Sequence, residues 1–157
     1  MDKISPCLWF DGNAEEAMNF YLSVFKDAKV TDVLRWGEGG MAPAGSVLTC
    51  TFELHGQTFT ALNGGPHFKF TPAISFFVNC EDQREVDELW DKLLAGGGEP
   101  SQCGWLADRF GVSWQVVPRQ LPEMLRDPDP ARAQRVMQAM MKMVKLDVAR
   151  LRQAYEA

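Results

Sequence analysis

The stretch that decides the fold is Leu8-Trp9-Phe10-Asp11-Gly12-Asn13-Ala14-Glu15-Glu16-Ala17-Met18-Asn19-Phe20-Tyr21. It joins an apolar run, Ile4 to Phe10, through a polar corner to a helical pattern over Ala14 to Phe25. Ala14, Ala17, Met18, Tyr21 and Val24 recur at intervals of three and four, so they share one helix face. Asn13 and Glu16 have the spacing of a capping box, with Asn in place of Ser or Thr. Three extended stretches follow, Lys29 to Trp36, Ser46 to Leu54 and Gln57 to Leu62. His55-Gly56 between the last two reads as a hairpin turn, and Gly37 to Gly45 as a Gly/Pro/Ala-rich loop.

The same order then returns. Ala73 to Val78 is a strand and Asn79 to Asp82 its corner. The next helix carries Val86, Leu89, Trp90 and Leu93 on one face, is capped by Asp82 with Glu85, and stops at Gly96-Gly97-Gly98. Glu99 to Cys103, Trp105 to Asp108 and Ser113 to Val117 complete the copy. A β-α-β-β-β unit is therefore used twice, across the linker Asn63 to Pro72. The expected fold class is α+β: two tandem βαβββ modules forming mixed sheets, followed by a helical tail.

The expected organisation is one domain over residues 1–118, with module one at 1–64 and module two at 72–118, and a C-terminal helical extension over 119–157. In that extension Asp129 caps a helix whose first position is Pro130. Val136, Met137, Met140, Met141 and Val144 form a Met-rich stripe, which reads as core or subunit contact. Lys145-Leu146-Asp147 breaks the helix, and Asp147 caps a final turn or two through Leu151 and Tyr155.

Composition excludes several classes. The 157 residues are 46% hydrophobic and 24% charged, as in an ordinary soluble domain. No apolar run approaches the roughly 18 residues of a membrane span, and MDKISPCLWFDG lacks the pattern of a signal peptide. Sixteen basic against 21 acidic residues give a net charge of -5, which argues against nucleic acid as a partner. Cys7, Cys50, Cys80 and Cys103 are irregularly spaced with no CxxC, so the expectation is free thiols in a reducing cytoplasm.

Four motifs carry a resemblance over most of the chain: LWFDGNAEEAMNFY at 8–21, ISFFVNCEDQREVDELWDKLLAGG at 74–97, CGWLADRFGVSWQVVP at 103–118 and MQAMMKMVKLDVARL at 137–151. Together they resemble the vicinal oxygen chelate superfamily of glyoxalase I, bleomycin-resistance proteins and extradiol dioxygenases. The match is to its PhnB-like branch, often labelled 3-demethylubiquinone methyltransferase-like. The resemblance implies that each module curls into a half-open cup, and that the protein is a homodimer. The Met-rich helix is a candidate contact. Methyl transfer from a nucleotide donor calls for a Gly-rich turn between a parallel strand and a helix. Gly96 to Gly98 instead follow a helix and serve as its stop.

Catalytic members of the superfamily hold a divalent metal with His, Gln and Glu side chains near the start of each module's first strand and on its last strand. Carried over here, those positions fall on Ser5, Pro6 and Cys7, on Ala73, near Asn63, and on Gln115. Imidazole and carboxylate are missing from that set, and neutral amides are poor ligands for a divalent cation. His55 falls in a hairpin turn and His67 in the linker. The expectation is therefore no catalytic metal and no cofactor.

Alternation then assigns the lining. Ser113, Gln115 and Val117 share one face and Trp114 and Val116 the other. With Gln115 facing the cup, Phe59, Ala61 and Asn63 line one cup and Ala73, Ser75 and Phe77 the other. Cys7, Phe59, Asn63, Ser75, Trp105 and Gln115 are the candidate ligand-binding residues. Such a lining suits a small, uncharged or weakly polar organic ligand held by a few hydrogen bonds; side chains filling a collapsed cup are the alternative. Cys7 and Cys103 have no adjacent base, so both read as inert thiols, and Asp11 and Asp108 beside glycine-containing turns read as turn caps. Three functional classes remain open: a metal-independent binding protein, a metal-dependent lyase, isomerase or conjugating enzyme of the glyoxalase type, and a ligand-free dimeric scaffold.

Overall fold

Each apolar run forms a strand at the edge of its own four-stranded sheet. A computed structural model describes residues 2–157 as two compact units, one ending at Phe70 and the other spanning Thr71–Ala157.

In the first unit β1 (Cys7–Phe10) leads to α1 (Ala14–Val24), then β2 (Ala28–Arg35), β3 (Val47–Leu54) and β4 (Gln57–Asn63). The sheet order is β1-β4-β3-β2, with β1 parallel to β4 and the other pairs antiparallel. The β3–β4 turn is the expected one: His55 at φ 47° and Gly56 at φ 82° give the two left-handed residues of a type I′ hairpin. The apolar face of α1 covers the sheet. Tyr21 stacks on Phe52 at 6.2 Å and Phe52 on Phe59 at 5.7 Å, with Leu8, Phe10, Ala17, Met18, Cys50 and Ala61 buried around them.

The cap of α1 differs from expectation. Asn13 makes no side-chain cap hydrogen bond. Instead Asn63, at the end of β4, accepts the Ala14 N–H through Oδ1 at 2.9 Å and donates through Nδ2 to the Val47 carbonyl at 3.1 Å. Asn13 lies at φ -114°, ψ 26°, outside the extended conformation from which a capping side chain usually reaches its own helix.

The second unit repeats the plan with β5 (Ser75–Cys80), α2 (Gln83–Leu94), β6 (Glu99–Pro100), β7 (Trp105–Ala107) and β8 (Ser113–Pro118) in the order β5-β8-β7-β6. β5 is parallel to β8. Asp82 caps α2 as expected, accepting the Glu85 N–H at 3.0 Å, while Glu85 accepts from the Glu81 N–H. Val86, Leu89, Trp90 and Leu93 are buried, as are Leu106, Trp114 and Val116 of the sheet. The sixth strand is only two residues long, because the chain turns at Ser101–Gly104 where the sequence pattern predicts extension to Cys103.

Three helices follow: α3 (Gln120–Leu125), α4 (Pro130–Met141) and α5 (Val148–Glu156). Asp129 caps α4 and Asp147 caps α5, as the sequence indicates. α4 stops at Met141 rather than continuing through Val144. Val117, Leu121, Met124, Val136, Met143, Leu146 and Leu151 form the core of this part. Met137, Met141 and Val144 from the stripe stay exposed. No helix among the described residues is long and apolar enough to cross a membrane.

Candidate ligand-binding face

Strand register sorts the candidate residues onto faces. In the second unit Phe76, Trp114 and Leu106 form one cross-strand row, and Phe77, Gln115 and Trp105 the next. Adjacent rows point to opposite sides of a sheet. Trp114 and Leu106 are buried on the side α2 covers, whereas Phe77 is half exposed and Gln115 and Trp105 are partly exposed. Ser75 lies on the open side with them, and Gln115 Nε2 donates to its hydroxyl at 3.0 Å. The structure thus gathers Ser75, Trp105 and Gln115 on one face, with Phe77 as their neighbour.

The open face of the first unit is not the one alternation from Asn63 indicates. The row Leu8, Ala61 and Cys50 faces α1, and the row Cys7, Thr60 and Thr51 faces away from it. Phe59, Ala61 and Asn63 therefore lie on the covered face. Phe59 is 5% exposed against Phe52, and Asn63 spends its amide on Ala14 and Val47. Cys7 is on the opposite side of the sheet from both. Register also identifies the true counterparts: Cys7 pairs with Thr60 as Phe77 pairs with Gln115, and Thr51 with Thr60 as Trp105 with Gln115. Thr60, not Asn63, occupies in the first unit the place of Gln115, and its hydroxyl lies 3.4 Å from that of Thr51. The polar Thr49, Thr51 and Thr60 alternating with the buried Cys50, Phe59 and Ala61 are the sequence signal for this face.

The titratable groups divide between structure and surface. Asp108 is 3% exposed, and its carboxylate accepts the N–H groups of Phe110 (2.9 Å), Val112 (3.1 Å) and Trp114 Nε1 (2.9 Å). It is a turn staple that pins Trp114 to the covered side, leaving the next residue, Gln115, on the open one. Asp11 is exposed. Cys7 is exposed on its strand, and such burial as it has pushes its thiol pKa up, opposite to the shift that activates a nucleophile. Cys80 is buried and its thiol is pushed up to about 12, first by desolvation and then by Glu85. His55 sits in the β3–β4 turn with its ring edge-on to Phe25, and His67 is exposed in the linker.

The open faces offer hydroxyls, an amide and a thiol. Of their carboxylates, Glu53 on the inner strand β3 is ion-paired with Lys29 at 3.2 Å, and Asp32 and Glu99 stand on the edge strands. Ser5 and Ala73 are exposed and Pro6 partly so. Among the described residues no group of three or more His, Cys, Asp or Glu side chains converges to hold an ion. This donor set does not fit a divalent metal. Two grooves, about 470 and 250 Å³, flank α5; Arg152 and Glu156 line both, and neither includes Ser75, Trp105 or Gln115.

Comparison with known proteins fits this geometry. The profile of the family described as 3-demethylubiquinone-9 3-methyltransferase matches residues 2–117. A PhnB protein from Bacillus cereus is 38% identical over 74% of this chain and 99% of its own, with a TM-score of 0.68. A protein of Pseudomonas aeruginosa shares the fold at 22% identity, 75% and 98% coverage and a TM-score of 0.62. The fosfomycin resistance protein FosX from Listeria monocytogenes, complexed with Mn(II) and sulfate, shares it at 14% identity, 73% and 88% coverage and a TM-score of 0.50. No curated protein matches. From the duplicated βαβββ plan, the profile over residues 2–117 and the Bacillus PhnB relative, the chain belongs to the 3-demethylubiquinone-9 3-methyltransferase family, with the fold that the resemblance to the vicinal oxygen chelate superfamily implies.

Proposed function

We propose that this protein binds a small, uncharged or weakly polar organic ligand on the open face of its second sheet, without a catalytic metal. The supporting observation is the Gln115–Ser75 hydrogen bond, with Gln115 flanked in its cross-strand row by Phe77 and Trp105. The bond fixes the Gln115 amide and leaves its Oε1 as an acceptor and the Ser75 hydroxyl hydrogen as a donor. Two aromatic side chains supply apolar contact. Apolar walls with a few oriented polar groups are the usual make-up of a small-molecule site. In this reading residues 1–118 handle the ligand, 119–157 are a helical extension, and the protein works as a cytoplasmic homodimer.

The family description names a methyl transfer, and the structure supplies a reason to read this chain otherwise. A nucleotide donor is held at a helix N-terminus that follows a parallel strand. Here α1 and α2 hold those places, and in each a protein side chain, Asn63 or Asp82, already takes one N–H of the first turn.

The second reading is a metal-dependent enzyme, favoured by the Mn(II) in the Listeria neighbour. One experiment separates the readings. The full chain is screened by thermal shift against aromatic and glyoxal-derived compounds, alone and with Mn²⁺, Ni²⁺ or Zn²⁺. Binding predicts compounds that raise the melting temperature without metal, an effect lost in Gln115→Ala. Stoichiometric tight metal binding, with turnover abolished by chelator, gives the second reading. Silence across the library leaves a scaffold.

A further inference from the structure

The segment 142–147, between α4 and α5, lies over the turn that carries Trp105. The Met143 carbonyl accepts the Cys103 N–H and the Val144 carbonyl the Gly104 N–H, both at 2.8 Å. Leu146 is fully buried. A Cβ on Gly104, which lies at φ +86°, would meet Leu146 Cδ1 at 2.8 Å and the Val116 carbonyl at 3.0 Å. The turn is therefore clamped between the segment and β8, and only glycine fits there.

One side chain on the first turn of α2 adds a tie to the far end of the segment. Gln83 donates from Nε2 to the Leu146 carbonyl at 3.0 Å and accepts the Val148 N–H through Oε1 at 2.7 Å. Its Nε2 also reaches Asp87 at 2.9 Å, and Asp87 pairs with Lys145 at 2.9 Å. Met143 through Val148 all lie beyond residue 117, where the match to the family profile ends.

We propose that Gln83 is a positioning residue for the candidate ligand face: by latching the 142–147 strap it fixes the Cys103–Gly104 turn, and with it Trp105 beside Gln115. The extension thereby sets the shape of a face built by the second module. This rests on the reading that the face binds a ligand, but the mechanical part is testable apart from it.

The test uses the full chain with Gln83→Ala, a change that suits a helix first turn, and separately Lys145→Ala. Three quantities are read: amide exchange at Cys103 and Gly104 with Thr51 and Thr60 as controls, the 19F signal of 5-fluorotryptophan at Trp105 assigned with Trp105→Phe, and binding of the uncharged dye N-phenyl-1-naphthylamine. Gln83→Ala is expected to speed exchange at Cys103 and Gly104 at least tenfold more than at the controls and to shift or broaden the Trp105 signal. Lys145→Ala acts in the same direction but less, and carries the test if Gln83→Ala does not fold. Unchanged exchange and an unmoved Trp105 signal overturn the latch, as does an equal rise at the controls. If the latch result holds while the dye does not bind the wild type, or binds Gln115→Ala equally well, the ligand reading fails and the latch stands.

Discussion

Gln115 reaches across a parallel strand pair to the hydroxyl of Ser75, 40 residues earlier in the chain, at 3.0 Å. This bond orients one amide beside Phe77 and Trp105 on the open face. Replacing Gln115 by Ala removes a partly exposed hydrogen bond worth about 0.5–1.5 kcal/mol net. The melting temperature should fall little, while any ligand found by the screen should lose most of its stabilising shift. Thermal shift with and without the compound measures both.

Asp108 is expected to matter to stability rather than to binding. Its buried carboxylate takes three N–H groups, including the indole of Trp114. Asp108→Ala leaves buried donors unsatisfied, and hydrogen bonds to a charged group contribute about 1.5–3 kcal/mol each before the site relaxes. A loss on the order of 3 kcal/mol is expected by urea unfolding, with the folded protein's ligand response intact.

Asn63 provides the complementary control. It caps α1 through Ala14 and ties β4 to Val47, and its side chain lies on the covered face. Asn63→Ala should cost about 1–2 kcal/mol, the usual loss for a helix cap. It should leave ligand binding on the second sheet unchanged. Thr60→Val, on the open face of the first sheet, should hardly alter stability.

A pair in the extension should show in acid. The Tyr155 hydroxyl donates to Asp127, and that bond, then Asp129 N–H and Arg132, lowers the Asp127 pKa below its ordinary 3.8. A carboxyl lowered on folding stabilises the fold above its unfolded pKa, and the gain disappears as pH falls through the folded value. Tyr155→Phe should bring Asp127 back toward 3.8 in a 13C-detected titration and flatten this part of the stability profile below about pH 4. The same bond raises the Tyr155 pKa above its ordinary 10.0, so its contribution is complete below pH 10 and is lost as pH rises through the folded value.

The repeated strand-helix-strand order was legible because each element has its own period: α1 and α2 show helical spacing, and His55-Gly56 and Asp82 are local signals. What the sequence hid is what depends on distant partners. The α1 cap comes from 49 residues away, so a search beside the helix finds only Asn13. The short β6 depends on Met143 and Val144, which hold the turn after it. Facing was legible in β8, where Trp114 marks the covered side. It slipped by one in β4, where starting from Asn63 put Phe59 on the wrong face and hid Thr60. The sharing of a face by Ser75 and Gln115 followed from alternation once the resemblance had put Gln115 toward the cup; the latch by Gln83 did not, since a glutamine at a helix start is locally unremarked.

That α1 is closed by the last residue of β4 also bears on how the first unit forms. Local helical turns arise within microseconds, but this helix gains its cap only after β4 has found β1, a contact of long sequence separation. A substitution at Asn63 should therefore speed unfolding more than it slows folding if the sheet closes late, and the ratio of the two effects dates the moment at which helix and sheet become one cooperative body.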